Sequence, residues 1–84
     1  MELLNVFVDF SYGHPWASQY TVEGRKKPIA EIYDLQSGDY LALFDAPTLK
    51  KRVFKTHVAA RKWVVGKIEK YYGVTTDTKI TNIL

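Results

Sequence analysis

Eighty-four residues with 46% apolar, 14% aromatic and 25% charged side chains and a net charge of +3 fit one small globular domain. A chain of this length buries only ~60 to 65% of the surface its unfolded form exposes, which leaves no room for a second core. The longest uncharged stretch, residues 10–22, is broken by Ser, Gly, His, Pro and Gln and falls short of the ~20 apolar residues a membrane helix needs, and the absence of cysteine removes disulfides, thiol catalysis and cysteine-based zinc sites.

Taken in chain order, the first signal is a strand over residues 3–12, where Leu4, Val6, Val8, Phe10 and Tyr12 alternate with Asn5, Asp9 and Ser11. Gly13, His14 and Pro15 stop it. The segment from 13 to 27 then reads as a long loop, or as an irregular second strand around Tyr20 to Val22. Strands over 29–35 and 40–45 flank Gln36-Ser37-Gly38-Asp39, a connection of hairpin length, and Pro28 belongs at the start of the first, where a missing amide donor costs least.

From Pro47 two readings compete. Leu49, Val53, His57, Ala60, Val64, Ile68 and Tyr71 recur at steps of three or four, which suits one helix from 46 to 72 with Asp45 as its N-cap. The alternative makes 51–55 a strand, with Thr56 capping a helix over 57–72 and Gly73 ending it. The second is preferred because Thr56 is a good N-cap. Residues 79–83 form a candidate final edge strand. The expected fold class is therefore α+β, with a small antiparallel sheet of three to five strands and one main helix packed across it.

On a helical wheel His57, Ala60, Val64, Val65, Ile68, Tyr71 and Tyr72 share the face laid on the sheet, and Arg61 falls among them. A guanidinium there must snorkel to an edge or meet a carboxylate, with Asp9 and Glu31 as the candidates. The opposite side sets Trp63 among Ala59, Gly66, Lys67 and Lys70. Three roles suit it: stacking in a nucleic-acid face, anchoring a protein contact, or packing as core under the 13–27 loop.

Charge divides the chain. Residues 1–45 carry three basic and seven acidic side chains, whereas residues 46–84 carry nine basic and two acidic ones. Eight of those nine lie between Lys50 and Lys70, where Glu69 alone opposes them, and a field of this density attracts polyanions. The candidate nucleic-acid-binding residues are Lys50, Lys51, Arg52, Lys55, Lys62, Trp63, Lys67 and Lys70, with DNA favoured over RNA as the partner. Arg25, Lys26 and Lys27 extend that surface or offset the acidic hairpin. Two histidines without metal-ligand spacing, no Gly-x-Ser-x-Gly elbow and no phosphate-cradling glycine loop leave no expected metal, cofactor or catalytic residue.

Phe54-Lys55-Thr56 followed by Ala59-Ala60 and Trp63, after a Gly-centred hairpin, resembles the sheet-then-helix arrangement of AP2-type and integrase arm-binding DNA domains. It is also similar to small phage-encoded inhibitors that lay one helix across a short sheet. The likeness covers about a third of the chain, the alanine spacing is one residue shorter than in AP2-type domains, and their arginine- and tryptophan-rich reading strand is absent, so no family is assigned.

The leading expectation is a non-catalytic nucleic-acid-binding protein. The rival is a regulator or inhibitor, of phage or mobile-element type, that docks on a larger host protein through the acidic hairpin or through the aromatic loop of Tyr12, His14, Trp16 and Tyr20. The stripe Ala59, Trp63, Gly66 also suits a homodimer across a two-fold axis. Glu2 near the start, with no cleavage site after an early apolar run, gives a cytoplasmic expectation and no membrane partner.

Overall fold

Alternation of apolar residues organises the sheet. In the computed structural model, which describes residues 3–9 and 17–82, the chain forms β1 (Leu3–Asp9), β2 (Ala17–Val22), β3 (Ala30–Asp34), β4 (Tyr40–Asp45), β5 (Leu49–Phe54), α1 (His57–Tyr72) and β6 (Thr75–Asn82). The even-numbered positions Val6, Val8, Ser18, Tyr20, Val22, Ala30, Ile32, Ala42 and Phe44 are all buried on one face, as a period of two requires. Ala60, Val64 and Ile68 of α1 close over that face, chiefly above β4 and beside β3 and β5.

The sheet runs β5-β4-β3-β2-β1-β6. Neighbours from β1 to β5 are antiparallel, while β6 lies parallel to β1, with Leu3 opposite Thr75 and Val6 opposite Thr78. The expectation of three to five antiparallel strands is thus corrected to six strands in a mixed sheet. A parallel neighbour needs a crossover, and α1 supplies it by carrying the chain from the β5 edge to the β6 edge.

Several boundaries also change. The segment from 13 to 27, read as a long loop or as an irregular second strand around Tyr20 to Val22, contains β2, which starts at Ala17 and is held by β1 on one side and β3 on the other. The strand expected over 51–55 starts at Leu49, and that expected over 79–83 starts at Thr75. The helix begins at His57, so the longer version from 46 is excluded: residues 49–54 pair with β4 along their whole length. Thr56 has extended backbone, and its Oγ1 accepts the Ala59 N–H at 3.1 Å. At the far end Gly73 takes φ 70° and its N–H donates to the Glu69 carbonyl at 2.7 Å. The aromatic-loop residues Tyr12, His14 and Trp16, and the end of the strand expected over 3–12, lie outside the described residues. Among the described residues no helix is long and apolar enough to cross a membrane.

Candidate nucleic-acid interface

Strand β5 is an edge, hydrogen-bonded to β4 on one side only, and five of its six residues are exposed. Its register decides where its cations point. Lys50 pairs with Phe44, Arg52 with Ala42 and Phe54 with Tyr40, so these three share the face of the sheet that carries α1. Lys51 and Val53, one step out of phase, lie on the other face.

Helix α1 runs back beside this edge. Its Trp63 ring meets the Phe54 ring with centroids 5.9 Å apart. The Arg52 guanidinium carbon sits 5.3 Å from the Phe54 ring centroid, and Lys67 Nζ lies 5.6 Å from that of Trp63. The order across the flank is therefore cation, ring, ring, cation. Lys50 and Lys70 extend it toward the end of the helix: Lys50 is opposite Phe44, whose ring meets Tyr71 at 6.1 Å. Ring contacts of this kind hold a cation in place without neutralising it.

Four acidic residues of the first half, Glu23, Glu31, Asp34 and Asp39, have partners of their own. Glu23 accepts the Asn5 N–H at 3.0 Å, and Glu31 accepts from Gln19 Nε2 at 3.0 Å and from the Tyr33 hydroxyl at 3.2 Å on the face away from α1. Asp34 accepts the Gln36 N–H in the β3–β4 turn. Asp39 holds Lys55 at 3.1 Å. Among the described residues the only ion pairs are Lys55–Asp39 and Lys79–Asp77, so Lys50, Arg52, Lys67 and Lys70 have no carboxylate partner there.

Of the eight residues singled out in the sequence, the fold brings Lys50, Arg52, Trp63, Lys67 and Lys70 to one flank. It does not bring the other three. Lys51 lies across the sheet, Lys55 is tied to the hairpin, and Lys62 lines a cavity on the opposite side of α1. Arg25, Lys26 and Lys27 are exposed in the β2–β3 connection, at the end of the sheet where α1 finishes. Phe54 is the addition: Arg52-x-Phe54 on a strand places a cation beside a ring on the same face, a signal available in the sequence.

Arg61 pairs with neither carboxylate proposed for it. It is exposed at the border of the contact face, whereas Glu31 is turned to the other side of the sheet. Trp63 is half-buried, packed against the core and on the Phe54 ring of the edge strand β5. His57, next to Tyr40 at 5.7 Å, is held below the usual imidazole range by burial and by the Arg61 charge, with Asp34 opposing. No protein-family model matches the chain, and comparison with curated proteins and with solved structures finds no match.

Proposed function

We propose that the protein is a non-catalytic nucleic-acid-binding protein that grips the phosphate backbone with the flank formed by β5 and α1. Lys50, Arg52, Lys67 and Lys70 contact phosphates, and Phe54 and Trp63 hold two of these cations in position. The observation that supports this most is the Arg52, Phe54, Trp63, Lys67 ladder, in which rings set the charges and no described carboxylate cancels them. Cations already positioned lose less conformational entropy on binding a strand. DNA is the first partner to test. With about four phosphates neutralised, affinity for duplex falls roughly a hundredfold between 50 and 200 mM salt. Fluorescence anisotropy with labelled duplex and single strands measures this, and absent binding at ~50 mM salt, or salt-independent binding, refutes the reading.

One observation favours a second reading, docking on a larger protein. The face of the sheet away from α1 sets Tyr33, Leu41 and Val53 side by side across three strands, with Leu43 two residues along, and Leu49 and Val53 are more than half exposed. If that face docks a host protein, Val53→Lys abolishes capture of the partner while leaving the fold intact, because Val53 lies exposed on an edge strand. Unchanged capture refutes it.

A further inference from the structure

One helix cannot cover this sheet. Six strands at ~4.8 Å spacing make a layer ~24 Å wide, whereas a helix with its side chains is ~10 to 12 Å across. α1 lies chiefly above β3 to β5, and toward the far edge of the sheet it is tied to β6, where Glu69 Oε2 accepts the Thr76 N–H at 2.8 Å and the Thr76 hydroxyl at 3.0 Å. Between α1 and strands β2, β1 and β6 lies a cavity of about 490 Å³, within the range that small-molecule sites occupy.

Its lining combines two kinds of surface. Val8, Val65 and Ile80 give apolar walls, and Ile80 is half exposed at the mouth. Tyr20 and Arg61 supply polar groups. Tyr20 is fully buried, yet neither its hydroxyl nor that of Ser18, two residues earlier on the same face of β2, has a hydrogen-bond partner within good geometry. A buried O–H left without an acceptor destabilises the fold until something supplies one. Arg61 is exposed, has no ion pair among the described residues, and is close enough to act on the Tyr20 phenol. Burial pushes that phenol above its ordinary range, with the Arg61 charge opposing, so at neutral pH it remains an O–H donor.

We propose that this cavity binds a small organic carboxylate, its anionic head on Arg61 and the Tyr20 hydroxyl and its apolar body against Val8, Val65 and Ile80. A planar guanidinium matches a carboxylate in two parallel hydrogen bonds. Lys62 and Glu69 line the same cavity, and the Glu69 carboxylate repels a phosphate dianion about twice as strongly as a carboxylate monoanion. The site lies on the side of α1 away from the β5 flank and does not depend on nucleic-acid binding.

The test is an amide chemical-shift titration of the full chain with octanoate, 1-octanol, acetate and inorganic phosphate. Octanoate shifts the amides of Val8, Val65 and Ile80 saturably, and each of the other three binds at least about tenfold more weakly, because each lacks the charge, the apolar body or the single negative charge. Arg61→Gln weakens octanoate about tenfold and leaves nucleic-acid affinity unchanged. Tyr20→Phe weakens octanoate while the thermal midpoint stays equal or rises, since it deletes a hydroxyl that has no partner; a merely structural hydroxyl lowers the midpoint instead. No saturable shift up to ~10 mM octanoate, or octanol binding as tightly as octanoate, overturns the proposal.

Discussion

Thr56 and His57 begin α1, and both carry effects that can be measured one side chain at a time. The Thr56 Oγ1 bond to the Ala59 N–H satisfies a donor that the helix cannot, so Thr56→Ala is expected to cost about 1 kcal/mol in urea unfolding. The imidazole of His57 resists protonation in the folded state, while the unfolded chain takes up its proton near the ordinary value of 6.5. Between the two pKa values the unfolded state binds more protons, so the stability His57 contributes is present above about pH 6.5 and is lost as the pH falls through the lower folded value. The thermal midpoint of the wild type should therefore drop more between pH 7 and pH 5 than that of His57→Gln; equal drops would contradict the assignment. Thr56 and Gly73 were legible in the sequence because caps are local signals. The surroundings of Arg61 were not, because a helical wheel gives an azimuth and says nothing of which strands lie beneath it.

At the scale of elements, α1 carries one weak position and one tie. Gly66 has ordinary helical backbone, and an added Cβ would meet nothing within 4 Å, so Gly66→Ala should stabilise the protein by ~0.5 to 1 kcal/mol through helix propensity. Glu69 fastens β6 to the helix by two charge-assisted bonds, and Glu69→Ala should cost ~1 to 3 kcal/mol and speed amide exchange along residues 75–80. Equal exchange in both proteins would mean that β1 alone holds β6. Strands β1, β3 and β4 and the helix over 57–72 could be read from local periodicity. Strands β2 and β6 could be read only in part, as an irregular strand around Tyr20 to Val22 and a short edge strand over 79–83. In β2 the buried face reads Ser18, Tyr20, Val22, so a small polar residue dilutes the apolar alternation. In β6 the sequence TTDTKITN resembles a turn, and its strand character comes from parallel pairing with a segment some seventy residues earlier.

For the whole molecule, the uneven charge of the two halves was visible in composition, and what the sequence could not show was how the fold would sort it. The sorting depends on two phases. The pleat of β5 puts Lys50 and Arg52 on one side of the sheet and Lys51 on the other, and the turn of α1 puts Lys67 and Lys70 toward β5 and Lys62 away from it. One carboxylate of the acidic half, Asp39, does pair with a cation of the basic half, Lys55, whereas Glu23, Glu31 and Asp34 satisfy a backbone amide, the opposite sheet face and a turn. Net charge is the same for any pair of neutralised cations, so position can be separated from charge. The most direct test compares the slope of log K against log salt on duplex DNA for Arg52→Gln with Lys67→Gln and for Lys51→Gln with Lys62→Gln. Four contacts give a slope of about −3.6, which the first pair should reduce in magnitude by about 1.8 and the second should leave unchanged. Equal reductions from both pairs would contradict the assignment of binding to the β5–α1 flank.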